Sequence, residues 1–464
     1  MRDFNLNDTI AAVATPPGEG AIAMVRISGP EAISISDRIF HGKKRLAELP
    51  SGSARYGEIR DLQGNPIDAA VVILMRNPHS YTGEDLVEIC CHGGRIASAK
   101  IMQILLESGA RQAERGEFTL RAFLNNRIDL TRAEAVTDLV ASRSEAAYEI
   151  ALRQSKGKLY EILQNVIEKL REILSLVELG IDFAEEDIEL AAPETIRNQI
   201  GETLKALRSL AGNFDRGRII REGFRVAITG KVNAGKSSLL NAFLSSERAI
   251  VAEMPGTTRD TITESMNMDG IEVVLTDTAG FRLDRDLSDG SGPVEREGIR
   301  RSNEIISTSD LALFLLDPTR PEDAEDRRVI NAIGGKPKFV LLNKMDLLNR
   351  VELERHMRES SYDIDLPISA LTGENLDKLK TMIIGRAGIG TDMIESGMII
   401  TNRRHHRCLR ESITELERVL NRDSEDEIIA EHLRQALNRL GEITGEITSE
   451  DILNAIFDNF CIGK

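Results

Sequence analysis

Residues 224–237 read Phe224-Arg225-Val226-Ala227-Ile228-Thr229-Gly230-Lys231-Val232-Asn233-Ala234-Gly235-Lys236-Ser237. The run 225–229, apolar at Val226, Ala227 and Ile228, predicts a strand, and it feeds a complete G-x-x-x-x-G-K-S loop. Beyond the loop, Leu239, Leu240, Phe243 and Leu244 recur at helical spacing. Strand, glycine-bounded loop and helix in that order aim backbone N–H groups and a helix N-terminus at one point, which is a cradle for phosphate oxygens. Only glycine lets the backbone wrap that closely. Lys236 is placed to reach the β- and γ-phosphates, and Ser237 to put its hydroxyl on Mg2+. Nucleotide contacts are therefore expected at Asn233, Ala234, Gly235, Lys236, Ser237 and Ser238.

Four further pieces follow in order. Ala252-Glu253-Met254-Pro255-Gly256-Thr257-Thr258 stands where the second Mg2+ ligand, Thr258, is expected. The apolar run 273–275 delivers Asp277-Thr278-Ala279-Gly280, with Asp277 holding the metal through water and the Gly280 N–H sensing the γ-phosphate. A buried strand at 311–316 comes next. The run 339–342 then leads into Asn343-Lys344-Met345-Asp346, and Ser369-Ala370-Leu371 completes the series. A carboxylate such as Asp346 accepts hydrogen bonds from guanine N1–H and the 2-amino group. Adenine lacks that donor pair and leaves the carboxylate unpaired, so the arrangement selects GTP over ATP. The order of the pieces specifies a Ras-like α/β P-loop GTPase domain. One residue departs from the Ras pattern: Phe281 follows Gly280 where Ras-like enzymes use Gln. An apolar ring cannot orient the attacking water, and the transition state still needs positive charge near the β–γ bridge. The Asn233 amide offers a place to hold a monovalent cation there.

The flanks have a different texture. The chain has 464 residues, with 59 Lys+Arg against 75 Asp+Glu, a formal charge of −16. That balance argues against gripping nucleic acid with the whole surface. No apolar run approaches the ~18 residues of a membrane span, and the first residues lack a signal-peptide core. A cytoplasmic chain with no membrane partner is expected. Residues 8–120 alternate β-rich runs (21–27, 69–75, 89–91) with Gly and Pro punctuation. From about 126 the pattern turns helical, with one helix expected over 148–179 and another over 193–220. The stretch 395–464 is helical again. The expected division is an α+β domain at 1–125, an all-α helical domain at 126–222 and 386–464, and the GTPase domain inserted at 223–385.

Several isolated features admit two readings. Cys90, Cys91, Cys408 and Cys461 show no metal-ligand spacing and read as reduced, mostly packed thiols. Gly18-Glu19-Gly20 mimics a dinucleotide fingerprint but precedes a strand, so a Rossmann site is not expected. His92 beside Gly93-Gly94 is either a turn residue or a ligand contact, and Cys461 either a packing residue or a nucleophile. Arg403, Arg404, His405, His406, Arg407 and Arg410 form a basic run, either paired with a neighbouring helix or available to phosphate. The acids Asp423, Glu425, Asp426 and Glu427 read as a solvated loop.

Taken over the whole chain, the motifs resemble the MnmE (TrmE) family of bacterial tRNA-modification GTPases. The resemblance rests on Asp8-Thr9-Ile10, Arg26-Ile27-Ser28-Gly29, Tyr81-Thr82-Gly83-Glu84-Asp85, His92-Gly93-Gly94, Gly116-Glu117-Phe118, Arg121-Ala122-Phe123-Leu124-Asn125 and the terminal Phe460-Cys461-Ile462-Gly463-Lys464. It implies a homodimer formed through the N-terminal domain. It also implies a 5-formyl-tetrahydrofolate-type carrier bound by Arg26, Glu88, Arg127 and Lys464. In the GTPase domain it implies K+ held by Asn233, Thr257 and backbone carbonyls at Ala252 and Met254, standing in for an arginine finger. The family's catalytic Glu, which orients water indirectly, maps to Glu295. With a partner, the FAD-dependent MnmG, the family installs an aminomethyl-type group, commonly carboxymethylaminomethyl, at carbon 5 of the tRNA wobble uridine, and this chain alone is expected to hold tRNA weakly. Two other classes stay open at this stage: a switch GTPase in ribosome assembly, and a folate-dependent one-carbon enzyme regulated by GTP.

Overall fold

A computed structural model describes residues 7–182, 193–246, 263–278, 293–389, 399–421 and 425–464. The N-terminal part runs β1 (Ile10–Val13), β2 (Ile22–Ser28), α1 (Ala32–Ile39), β3 (Phe40–His41), β4 (Ser53–Arg60), β5 (Pro66–Met75), β6 (Leu86–His92), α2 (Arg95–Glu107), β7 (Arg111–Gln112) and α3 (Glu117–Leu124). Alternation explains β2: Ala23, Val25 and Ile27 are buried, while Met24 and Arg26 point to the opposite face. Val25 and Ile27 pack with Val72, Leu74, Val87 and Ile89 against α1 and α2. Each such side chain contributes ~1.5–3 kcal/mol of burial. The strands form one sheet in the order β3-β4-β5-β6-β2-β1-β7. The antiparallel β2–β6 register sets Arg26 directly opposite Glu88.

Helices α4 (Leu130–Ala141), α5 (Glu145–Ser155), α6 (Lys158–Asp182), α7 (Pro193–Gly212) and α8 (Phe214–Glu222) follow. Both long helices expected from the sequence are therefore broken. The first is interrupted at Gly157, which adopts φ +90° against the Arg132 guanidinium. The second is interrupted at Gly212-Asn213, two weak helix formers in succession. Apolar periodicity runs through both breaks, so it could not signal them.

The GTPase region comprises β8 (Phe224–Gly230), α9 (Lys236–Ser246), β9 (Thr263–Met268), β10 (Ile271–Asp277), α10 (Pro293–Thr308), β11 (Leu311–Leu316), α11 (Ala324–Ile333), β12 (Lys338–Leu342), α12 (Arg350–Glu359), β13 (Leu366–Pro367) and α13 (Leu376–Ala387). Its sheet has the order β13-β12-β11-β8-β10-β9, parallel throughout except for β9. All six residues of β11 are buried, as a strand covered on both faces requires. The chain leaves β8 between β10 and β11, where the strand order reverses and loops diverge to open a crevice. The C-terminal helices are α14 (Arg403–Asn421), α15 (Asp426–Thr444) and α16 (Glu450–Phe457).

The chain divides into two compact units. One holds Met1–Val140, Leu152–Leu204 and Glu411–Lys464; the other holds Ala141–Ala151 and Lys205–Arg410. The boundaries fall inside α4, α5, α7 and α14. The first unit thus unites the N-terminal sheet with the C-terminal tail, through a core of Leu120, Leu130, Ala133, Phe457 and Phe460. Among the described residues no helix is long and apolar enough to cross a membrane.

Candidate functional site

In the second unit β8 ends at Gly230, and residues 231–235 turn into α9, which begins with Lys236. Asn233 takes the left-handed conformation (φ +67°) and Gly235 takes φ +94°. A Cβ on Gly235 would lie 2.1 Å from the Asn343 amide nitrogen, so glycine is a packing requirement there. Asn343 is buried and spends both ends of its amide: it donates to the Ala234 carbonyl at 2.8 Å and accepts from the Ala370 N–H at 3.0 Å. One side chain therefore ties the phosphate loop to the Ser369-Ala370 segment. Its loss would leave buried partners unmatched.

Lys236 is buried, with its ammonium donating to the Gly230 and Lys231 carbonyls at 2.7 and 2.6 Å. Burial pushes its pKa below the usual lysine value, and the Asp277 charge opposes that. The Ser237 hydroxyl donates to Asp277 Oδ2 at 2.8 Å, while Asp277 itself is fully buried at the end of β10. Thr278 fixes that strand end by donating its N–H and hydroxyl to the Ile228 carbonyl, at 3.1 and 3.0 Å. Adjacent hard oxygen donors beside a phosphate loop fit the chemistry of Mg2+. The base end is equally built. Asp346 is exposed and accepts from the Ser369 hydroxyl at 2.6 Å, and the Met345 N–H donates to the Ile368 carbonyl at 3.1 Å.

The structure thus brings together Asn233–Ser238, Asp277, Thr278, Asn343–Asp346, Ser369 and Ala370 around one crevice. Ala252, Glu253, Met254, Pro255, Gly256, Thr257, Thr258, Ala279 and Gly280 lie outside the described residues. Glu295 falls in the first turn of α10, and its side chain also lies outside them. Two contacts were not foreseen. Lys231, inside the loop, pairs with Asp326 at 2.5 Å and Asp323 at 2.9 Å, anchoring the loop to the start of α11. Asp317 pairs with Lys344 at 2.5 Å. The partners lie 27 residues apart in one case and on a separate helix in the other, so no local pattern signals either.

A second centre lies in the first unit. The Arg26 guanidinium donates to Glu88 Oε1 at 2.7 and 2.9 Å and to the Gly463 carbonyl at 3.1 Å. It also lies over the Tyr81 and Phe118 rings, 5.7 and 5.6 Å from their centroids. Gly463 adopts φ +91°, and a Cβ there would lie 2.8 Å from Ala14 Cα and the Val13 carbonyl. The tail is held by an Arg115–Ile462 bridge and by the Gly116 N–H donating to the Cys461 carbonyl at 3.4 Å. Lys464 is half-buried, and burial together with Arg26 lowers its pKa. Two cations, one carboxylate and flanking rings fit a ligand with carboxylates and a flat heterocycle. Arg127 shares no hydrogen bond or ion pair with this trio; it is exposed, its stem beside Gly83.

Behind that centre the family-like motifs converge on Arg121, only 1% exposed. It pairs with Asp8, with Glu117 at 3.1 Å and with Glu84 at 3.2 Å. Arg111 adds bonds to Asp8 and Glu117, both at 2.6 Å. Glu84 is steadied by Ser28 at 2.8 Å, yet burial raises its pKa above the ordinary carboxylate value despite Arg121. Burial also opposes ionisation of Asp8 and Glu117, but their arginine partners prevail and hold both below the ordinary value.

The features with two readings resolve unevenly. The His92 ring bonds Asp68 at 2.6 Å and is otherwise exposed. Cys91 and Cys408 are buried, Cys90 is half-buried and Cys461 is exposed; burial pushes the Cys91 thiol up to about 11. In the basic run Arg403 pairs with Glu222 at 3.2 Å, the Arg404 guanidinium lies 3.0 Å from the His405 ring, and His406 stacks on Phe214 with centroids 4.1 Å apart. Asp426 and Glu427 belong to the first turn of α15, not to a loop, where their charge suits the helix dipole. Asp423 lies outside the described residues.

Residues 130–461 match the family described as the MnmE helical domain, and residues 9–127 match the GTP-binding protein TrmE N-terminus. A protein named tRNA modification GTPase MnmE from Carboxydothermus hydrogenoformans is 40% identical over 472 residues, spanning 99% of this chain and 100% of the relative. One of the same name from Geobacter sulfurreducens is 40% identical over 467 residues, with the same coverage. Among solved structures, Era in complex with MgGDPNP and a piece of 16S ribosomal RNA shares 27% identity over 35% of this chain and 56% of that one, with a TM-score of 0.27.

Proposed function

The chain belongs to the MnmE family of tRNA modification GTPases, and from that premise we propose that it hydrolyses GTP as part of the reaction that modifies carbon 5 of the tRNA wobble uridine. The observation that carries this reading is the crevice itself. Lys236, the Ser237–Asp277 pair and the Asn343 bridge prepare a phosphate end, and Asp346 presents a carboxylate at the base end.

In this reading residues 223–385 bind and cleave GTP. Lys236 and the loop N–H groups take the β- and γ-phosphates, and Asp346 with Ala370 reads guanine. Ser237 and Thr258 hold Mg2+, with Asp277 behind Ser237, and Asn233, Ala252, Met254 and Thr257 hold K+. When bound, these ions supply the positive charge that the phosphoryl transition state demands. Glu295 orients the water, a task that Phe281 cannot perform. Residues 1–125 form the homodimer and hold a 5-formyl-tetrahydrofolate-type carrier through Arg26, Glu88, Arg127 and Lys464. The helical parts, 126–222 and 386–464, carry the terminal Cys-Ile-Gly-Lys. The FAD-dependent partner MnmG supplies hydride chemistry in the cytoplasm, and the group added is carboxymethylaminomethyl or a related aminomethyl.

Mass spectrometry of wobble uridines tests this reading in a strain lacking the gene, with and without the chain restored. The modified nucleoside disappears and returns; a profile that never changes refutes the proposal. GTP turnover rises in K+ and stays low in Na+; equal rates refute the cation assignment.

A further inference from the structure

The base end contains two carboxylates for one ammonium. Lys344 stands two residues before Asp346, in a left-handed conformation (φ +61°, ψ +32°) that opens the turn Met345–Leu347. Its ammonium goes to Asp317 at 2.5 Å. The Asp317 side chain is 5% exposed and follows the last residue of β11. It is fixed on its other side by the Thr319 N–H and hydroxyl, which donate at 3.0 and 2.6 Å. Asp346 by contrast is exposed, with the single donor Ser369 at 2.6 Å.

We propose that Asp317 is a positioning residue for guanine recognition: it holds the Lys344 ammonium off Asp346, so that the Asp346 carboxylate stays open to the base. This rests on the guanine-nucleotide reading above. Recognition of guanine takes two lone-pair positions on that carboxylate, for N1–H and for the 2-amino group. An unanchored ammonium on a long stem has Asp346 as its nearest alternative partner along the chain, and a pair formed there competes with the base. Burial opposes ionisation of Asp317, but Lys344 and Thr319 outweigh it and keep its carboxyl below the ordinary value, so the anchor is charged at neutral pH.

The test compares GDP with IDP, which lacks the 2-amino donor, by calorimetric titration of the full chain in Mg2+. Asp317→Asn lowers GDP affinity by roughly tenfold and IDP affinity less, so the preference for GDP narrows. Lys344→Met keeps the stem and removes the ammonium. In that background Asp317→Asn changes the GDP preference by less than about twofold. Parallel losses for GDP and IDP overturn the proposal as a purely structural effect. Equal narrowing with and without the Lys344 ammonium overturns it too. A chain that does not prefer GDP over ADP would overturn the guanine reading itself, whereas a preference that Asp317→Asn leaves intact overturns this proposal alone.

Discussion

The nucleotide cradle draws on one short run, residues 230–237, whereas the Arg26 centre draws on residues 26, 88, 463 and 464. The difference follows from what each must grip. Phosphate is held largely by backbone N–H groups, and backbone can converge only where neighbouring residues permit the bend, so the requirement is written contiguously as glycines and a lysine. The Arg26 centre is made of side chains brought together by sheet register and by a tail lying against β1. Nothing in the spacing of residues 26, 88 and 463 announces that they meet. Its support is also dispersed, since Asp8, Glu84 and Arg111 reach Glu117 and Arg121 of α3 from separate segments.

That contrast can be broken most forcefully at Arg121. Arg121→Ala leaves Glu84 without its arginine and Asp8 and Glu117 with Arg111 alone, and costs about 3–5 kcal/mol, measured by denaturant unfolding of the first unit's transition. Guanine-nucleotide affinity should survive in protein that remains folded; its collapse would show that the dispersed centre is not independent of the contiguous one. Lys236→Ala attacks the other side. It removes a buried cation from the phosphate site and weakens GTP binding by roughly 100-fold, while affinity for a formyl-folate carrier stays put. Gly463→Ala is milder. Its methyl meets the Val13 carbonyl and shifts the tail off Arg26, so carrier affinity falls by about fivefold in titration calorimetry, with GTP turnover unchanged.

The smallest effect is on pH. Asp8 and Glu117 have folded pKa values below their unfolded ones, so the unfolded chain binds more protons as the solution is acidified. Their stabilisation is complete above the ordinary carboxylate range, about pH 4, and is lost as pH falls through the depressed folded values. Glu84 works in the opposite sense, because its folded pKa is raised. Glu84→Gln therefore steepens the acid loss seen in melting temperature; an unchanged slope would mean that Glu84 is ionised without cost.

Legibility in the sequence follows the same division. The strands of the GTPase region and the places of Lys236, Ser237, Asn343 and Asp346 beside the loop and strand ends could be read directly, because motif and secondary structure coincide there. Asp317 and Lys231 could not, since their partners lie 27 residues away and on another helix respectively. In the flanks, hydrophobic periodicity located the helices but passed through Gly157, a left-handed glycine, and Gly212-Asn213, two weak helix formers, which break the helices without interrupting the apolar pattern. The early motifs were legible only as a resemblance. Their physical meaning, a shared ion network around Arg121, appears once the sheet places them side by side.

The most direct test deletes Gly463 and Lys464 and follows two activities of the truncated chain. The account predicts GTP turnover in K+ within about twofold of the intact chain, together with loss of the modified wobble uridine when the truncated chain is returned to a deletion strain. Undiminished modification by the truncated chain would contradict it.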